Sequence, residues 1–219
     1  MIPFIRPPSS AARRRALSLL AGGAAAMTGL PAAASAAPGT LMVFGDSLSA
    51  EYGLAQGSGW VALLDRRLRT ERPGWRVVNA SISGETTLGG RNRLEAELST
   101  HRPQVLFIAL GGNDGLRGVS LESTRANLEA MIGAARKSGA RPVMAGMRLP
   151  PNYGRTYGEK FRVVFVEVAK RQQVPLVPFL LEPIAERRDL FQADGIHPTA
   201  AAQPMILNTV WPVLSPLLR

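Results

Sequence analysis

The sequence predicts an α/β fold, a parallel sheet of about five strands with helices on both faces. Three observations carry that expectation. Short apolar runs alternate along the chain with longer segments of helical spacing, the order of consecutive βα units. Three successive apolar runs break into loops of Gly, Asp, Ser and Asn, and the carboxyl edge of a parallel sheet is where such folds present their chemistry. No internal repeat and no second composition regime interrupts the chain after its first 36 residues, so a single domain over 37–219 accounts for it.

Residues 1–36 stand apart. Arg6 and Arg13-Arg14-Arg15 precede an uncharged stretch rich in Ala, Gly and Leu from Ala16 to Ala37, and Ala34-Ser35-Ala36 has the pattern of a small-residue cleavage site. The expectation is an export signal cut after Ala36, giving a periplasmic or secreted protein. A retained membrane anchor is the alternative, but the Ala, Gly, Ser and Thr content and Pro31 make this stretch a poor one. Consecutive arginines suit the twin-arginine route and the general route alike.

Cutting there removes four arginines and no acid, which takes the formal charge from +10 to +6 on a chain of 183 residues. Such a balance favours transient contact with an anionic membrane surface or acidic substrates, although runs such as Arg66-Arg67-Leu68-Arg69 read as a solvated helix face. No basic run is interleaved with aromatics, so nucleic acid is not an expected partner. There is no cysteine, which excludes a thiol nucleophile, Cys-ligated zinc and disulfide support. No cofactor is expected, and the domain is expected to act as a monomer.

The elements follow in order. Leu41-Met42-Val43-Phe44-Gly45 is a buried first strand that stops at Asp46-Ser47. Trp60 to Thr70 carries apolar residues at 60, 61, 63, 64 and 68, a helical spacing. Arg76 to Ala80 is the second strand, Leu88 to Leu98 a helix, and Gln104 to Leu110 the third strand, ending at Gly111-Gly112. Leu121 to Ser138 is the clearest helix, with Gly139 as its C-terminal stop. Pro142 to Met147 is the fourth strand and Tyr157 to Gln172 a helix. Val174 to Phe179 is a short fifth strand whose two prolines suit a sheet edge. A last helical stretch, from about Thr199 to Leu217, is expected to be interrupted by Pro204 and Pro212.

The strand ends deliver Gly45-Asp46-Ser47, then Ser81-Ile82-Ser83-Gly84-Glu85-Thr86, then Gly111-Gly112-Asn113-Asp114-Gly115. Singly these are ordinary turn residues; together they sit on one edge. The decisive stretch is Ala193-Asp194-Gly195-Ile196-His197-Pro198. A serine hydroxyl needs a base whose pKa lies near working pH, which is an imidazole. The chain has two histidines, and His101 lies in a polar connection between a helix and a strand. Asp194, across a turn at Gly195, is spaced to fold its carboxylate onto Nδ1 of His197 and leave Nε2 to accept the serine proton. A capping or core histidine is one alternative. A metal site built from Asp46, Asp114, Asp194 and His197 is another, although no HxH or HExxH spacing supports it.

These stretches resemble the four sequence blocks of the GDSL or SGNH hydrolases: Gly45-Asp46-Ser47-Leu48-Ser49, Gly84, Gly111-Gly112-Asn113-Asp114 and Asp194-Gly195-Ile196-His197-Pro198. The longer strings Asn79 to Thr86 and Gly111 to Gly118, with Arg148-Leu149-Pro150-Pro151-Asn152-Tyr153-Gly154, are most similar to the bacterial periplasmic thioesterase I, lysophospholipase and arylesterase group. The resemblance spans essentially all of residues 37–219. It implies a three-layer α/β/α flavodoxin-like fold and a Ser-His-Asp site in which Ser47 is the nucleophile, His197 the base and Asp194 its orienting acid. It further implies an oxyanion hole made by the backbone N–H groups of Ser47 and Gly84 and the side-chain amide of Asn113. Asp46 and Asp114 have no catalytic part in this scheme and read as loop-structuring residues. The serine lacks the GxSxG elbow and follows the first strand, which separates the chain from the α/β-hydrolases.

The implied substrates are small molecules, fatty-acyl esters and thioesters, including lysophospholipids and aryl esters, rather than acetylated sugars. The loop after the fourth strand carries Leu149, Pro150 and Tyr153, which with Leu116 and Ile196 either line an acyl groove or only pack the loop. A carbohydrate acetylesterase of the same fold and a non-catalytic acyl- or lipid-binding protein are the competing readings.

Overall fold

The computed structural model describes residues 39–218. The expected signal segment, its cleavage site and the first two residues of the expected domain lie outside the described residues. Five parallel strands form one sheet in the order β2-β1-β3-β4-β5: β1 Gly39–Gly45, β2 Trp75–Asn79, β3 Val105–Ala109, β4 Arg141–Ala145 and β5 Leu176–Val177. This is the flavodoxin-like order, and the chain reverses direction across the sheet between β1 and β3.

Every residue of β1 is buried, as is every residue of β3, because both faces of these central strands are covered. Alternation along the strands sends successive side chains to opposite layers. Phe107 meets Trp60 of helix α1 (Trp60–Glu71) edge to face, with ring centroids 5.6 Å apart. Phe44 faces the other layer, where Gly90 of α2 (Thr87–His101) lets that helix come close: a Cβ there would lie 3.1 Å from the Phe44 ring and 2.4 Å from Leu110. Helix α2 packs on α4 (Leu121–Lys137), α4 packs on α5 (Arg155–Gln172), and α1 packs on α6 (Gln203–Leu214). The layers are therefore α/β/α.

Most expected elements are present with shifted ends. Ser138 caps α4 and Gly139 follows at φ +86°, the left-handed turn that stops a helix. The fifth strand shrinks to Leu176–Val177 at the sheet edge, because Pro175 and Pro178 on either side have no N–H to extend a ladder. Pro204 does not interrupt the last helix; it sits in the first turn of α6, where a missing N–H costs nothing. Pro212 lies inside α6, which passes into a 3₁₀ turn at Ser215–Leu217. One α-helix was not expected: the glycine-rich loop after β3 winds into a short helix, α3 (Gly112–Leu116). Among the described residues, no helix is long and apolar enough to cross a membrane.

Candidate active site

β1 ends at the point where the strand order reverses, and the turn that follows is closed by its own residues. The carbonyl of Asp46 accepts the N–H groups of Ser49 and Ala50, both at 3.0 Å. Its carboxylate Oδ1 accepts the Leu48 N–H at 3.1 Å, the side-chain turn that Asp favours. This bends the chain sharply after the strand and leaves Ser47 only part-buried, while Asp46 is 1% exposed.

The loop after β2 is drawn to the same point, since Ile82 N–H donates to Gly45 O at 3.0 Å. Gly84 follows at φ +78°, a conformation that an L side chain rarely adopts. From the other side, α3 brings Asn113, whose Nδ2 donates to Glu85 O at 3.0 Å and lies 3.3 Å from Asp46 Oδ2. Arg117, just past α3, donates to Gly84 O at 3.0 Å. The Gly84 loop is thus held from the α3 side at two consecutive carbonyls. Among the described residues, neither the Ser47 N–H nor the Gly84 N–H donates to a protein acceptor, so both remain available to a bound anionic oxygen.

The fourth segment is a tight loop closed by an antiparallel bridge between Phe191 and Pro198 and by Gln192 N–H donating to His197 O at 2.7 Å. Gly195, at φ +67°, makes the turn. Asp194 Oδ1 accepts the N–H groups of Ile196 at 2.9 Å and His197 at 3.0 Å, and Oδ2 lies 2.6 Å from His197 Nδ1. His197 Nε2 lies 2.8 Å from Ser47 Oγ, across 150 residues of sequence. With a carboxylate on Nδ1 the imidazole carries its proton there, and Nε2 faces the serine hydroxyl as an acceptor.

The two carboxylates nearest the serine are tuned in opposite directions. Burial pushes the Asp46 carboxyl up from 3.8 to about 6, against the opposing pull of the Leu48 N–H, the nearby His197 and the Asn113 amide. Burial also acts to raise Asp194, but the His197 N–H and imidazole and the Ile196 N–H outweigh it together and hold that carboxyl at about 2. Asp194 is therefore an anion at any working pH.

The sequence-predicted residues divide clearly. Ser47, Asp194, His197, Gly84 and Asn113 converge at one edge. Leu149 is spent on packing: it lies against Gly115, where a Cβ would come within 2.6 Å of it. Leu116 closes α3, half-buried; Pro150 and Tyr153 are half-buried on the loop after β4; Ile196 stands exposed beside His197. Asp114 turns inward, accepting the Thr87 N–H at 2.8 Å and the Thr87 hydroxyl. The four-residue metal alternative fails on that geometry, and among the described residues no three His, Asp or Glu side chains converge on a common point. His101, at the end of α2, faces Glu97 at 3.3 Å, away from this edge.

Sequence reasoning missed Tyr52. Its ring lies against His197 with centroids 4.2 Å apart, yet it is 51% exposed. The available signal was an aromatic residue before a glycine, five positions after the candidate nucleophile, in a loop with no apolar period to account for it.

Residues 43–203 match the model of the GDSL-like Lipase/Acylhydrolase family. The chain belongs to this family. It is 51% identical over 183 residues to Esterase TesA of Pseudomonas aeruginosa, an alignment covering 84% of this chain and 91% of that protein. It is 41% identical over 185 residues to the Thioesterase 1/protease 1/lysophospholipase L1 of Escherichia coli (strain K12), covering 84% and 88%. The crystal structure of TesA superposes with a TM-score of 0.79 at 50% identity, over 81% of this chain and 99% of that one. The GDSL-family motifs read from the sequence thus belong to an enzyme of the esterase and thioesterase type on the three-layer fold they implied.

Proposed function

We propose that this GDSL-family chain hydrolyses the carboxylic ester and thioester bonds of small-molecule acyl substrates through a covalent acyl-enzyme. The observation that carries the reading is the unbroken series Asp194 Oδ2, His197 Nδ1, His197 Nε2, Ser47 Oγ, with separations of 2.6 and 2.8 Å. Ser47 Oγ attacks the acyl carbonyl as Nε2 takes its proton, and Asp194 balances the imidazolium that results. The carbonyl oxygen becomes an anion facing the N–H groups of Ser47 and Gly84 and the amide of Asn113. The intermediate collapses as His197 returns the proton to the departing alcohol or thiol. Water, deprotonated by the same imidazole, then releases the acid and restores Ser47.

Ile196, Leu116, Pro150 and Tyr153 are assigned to the acyl side of the substrate, with Leu149 supporting the loop. The names of the relatives, Esterase TesA and Thioesterase 1/protease 1/lysophospholipase L1, include ester and thioester hydrolysis and no sugar esterase, which favours acyl esters and thioesters over acetylated sugars. Export is part of the same reading: a signal cut after Ala36 leaves β1, which begins at Gly39, intact.

The test is hydrolysis of p-nitrophenyl esters from acetyl to palmitoyl, with Ser47→Ala alongside and EDTA in a parallel series. Serine-dependent, EDTA-insensitive turnover extending to medium or long chains is expected. Turnover that survives Ser47→Ala, or a peak confined to acetyl, overturns the reading.

A further inference from the structure

Two hydrogen bonds at the ring nitrogens hold the His197 imidazole, one to Asp194 at 2.6 Å and one to Ser47 at 2.8 Å. Such bonds fix the edges of a ring without preventing it from tipping about the line between them. The hydrogen bond that the Ser47 hydroxyl donates is also lost in each turnover, since Oγ has no proton to give once it is bonded to the acyl carbon. At that stage the ring is tied at Nδ1 alone, and a contact on its face resists a swing about that bond toward solvent. The Tyr52 ring makes such a contact, with centroids 4.2 Å apart and planes inclined by 35°.

Burial does not explain where Tyr52 sits, since half of it is in water. Its backbone does. The Tyr52 N–H reaches Ser47 O at 3.5 Å, and its carbonyl accepts Gln192 Nε2 at 2.9 Å. The same Gln192 amide reaches Pro198 O at 3.2 Å, next to His197. Tyr52 therefore joins the serine turn to the histidine loop through its own peptide groups. Gly53 makes this approach possible: at φ +69°, a Cβ there would lie 2.1 Å from Gln192 Oε1.

The residue before Tyr52 shows that the platform is held rather than incidental. Glu51 has φ +59°, a region that costs a non-glycine residue free energy. Its carboxylate locks it there, accepting the Gly57 N–H at 2.9 Å and the Gly59 N–H at 2.8 Å, which closes the 51–59 loop onto the start of α1.

We infer that Tyr52 is a positioning residue whose ring face keeps the His197 imidazole in line between Asp194 and Ser47 through the catalytic cycle, with the phenol hydroxyl taking no part. The inference rests on the roles proposed above for Ser47 and His197. It names a group that acts through the imidazole, so its loss falls on turnover of every ester alike, whatever the leaving group.

The experiment compares the full chain with Tyr52→Phe, Tyr52→Leu and Tyr52→Ala on an aryl octanoate and an alkyl octanoate. Thermal melting checks folding, and NMR follows the His197 Nδ1–H proton, assigned against His197→Ala. Tyr52→Phe is expected to stay within about twofold of the parent. Tyr52→Ala is expected to lower kcat about tenfold on both esters with KM unchanged, the size of a ring–ring contact, and to broaden the Nδ1–H resonance. Tyr52→Leu, which keeps bulk and exposure, falls between them and carries the test if the alanine variant unfolds. A kcat for Tyr52→Ala within twofold of the parent, a loss confined to KM for the aryl ester, or an unchanged Nδ1–H resonance beside a lowered kcat overturns the inference. Failure of the parent to hydrolyse either ester overturns the proposed function instead.

Discussion

Asp46 Oδ2 lies 3.3 Å from Nδ2 of Asn113, joining the residue beside the candidate nucleophile to the side chain assigned to the oxyanion. The carboxylate has two oxygens in two uses: Oδ1 takes the Leu48 N–H that shapes the serine turn, and Oδ2 faces the amide. Asp46→Asn keeps the first use and turns a donor toward Asn113 in place of the second. Two NH₂ groups then compete for the same space, and the Asn113 amide moves away from the anion. The expected outcome is a kcat about ten- to a hundredfold lower with KM nearly unchanged, toward the low end of losing an oxyanion donor outright. Steady-state kinetics of Asp46→Asn beside Asn113→Ala checks this, and a kcat equal to the parent's sinks it.

The same carboxyl makes stability depend on pH in an unusual direction. Its folded pKa, about 6, lies above the ordinary 3.8, so between those values the folded chain binds more protons than the unfolded chain. Stability then falls as pH rises through this window, by roughly 3 kcal/mol for a shift of this size, and is flat with respect to Asp46 above it. Asp194 works the other way, its contribution being lost only as pH falls from 3.8 toward 2, outside that window. Asp46→Asn has no such group. Its stability relative to the parent is expected to improve by about 2–3 kcal/mol between pH 4 and pH 7 in urea unfolding. Parallel curves for the two proteins would show that the carboxyl is not perturbed.

Asp194→Asn separates charge from shape. The amide oxygen still accepts the Ile196 and His197 N–H groups, so the loop keeps its turn. The amide nitrogen now faces Nδ1 and forces the proton onto Nε2, where the imidazole no longer accepts from Ser47. A kcat/KM drop of about 10³–10⁴ at pH 7 is expected, with a modestly lowered melting temperature because the loop N–H groups and the imidazole favour the anion over a neutral group. A loss under tenfold would remove Asp194 from the proposed mechanism.

Gly84→Ala tests the second backbone donor. Space is not the obstacle, since a Cβ would meet only Arg117 Nη2, at 3.6 Å. The obstacle is φ +78°, which costs an alanine about 1–2 kcal/mol unless the loop relaxes. The loop is fastened at Gly84 O by Arg117 and at Glu85 O by Asn113, so relaxation displaces the N–H and disturbs the Asn113 amide as well. A kcat loss of about a hundredfold with at most about 2 kcal/mol of destabilisation is expected from paired kinetic and urea measurements. Full activity at lowered stability would take the Gly84 N–H out of the oxyanion site.

Much of this site was legible in the sequence because its residues sit where strands end, and strand ends show as apolar runs that stop at Gly, Asp and Ser. Ser47, Gly84, Asn113 and the Asp194–His197 pair each stand in a short string whose types match one task. What was not legible depends on contacts between distant strings. Asp46 read as a turn residue, which is true of Oδ1, but its second oxygen meets a partner 67 positions away. Tyr52 has no local period to mark it, since the Gln192 bond that places it comes from 140 residues downstream. In the fold, α3 was hidden because its five residues are too few to show a helical period, and β5 shrank because prolines end a ladder before apolar character ends a run.

Asp114 stands beside Asn113 in sequence yet serves the fold alone, and the contrast with Asp46 can be measured. Its carboxylate is fully buried and accepts from both the backbone N–H and the hydroxyl of Thr87, at the start of α2. Asn127 of α4 donates to the same Thr87 hydroxyl at 3.1 Å, so Asp114 ties α3, α2 and α4 together. Asp114→Ala strands two buried donors at once, and each unsatisfied group costs about 1–3 kcal/mol. The expected loss is about 3 kcal/mol or more, large against the whole stability of a domain of this size. Asp114→Asn keeps one acceptor and should lose about half as much. Turnover per folded molecule, measured well below the melting temperature, is expected to stay within a few-fold of the parent for Asp114→Asn. Asp46→Asn shows the reverse pattern, with turnover lost and stability at neutral pH kept or raised. If Asp114→Asn instead lost activity at full stability, the Thr87 anchor would have to be counted among the groups that set Asn113, since α3 carries both.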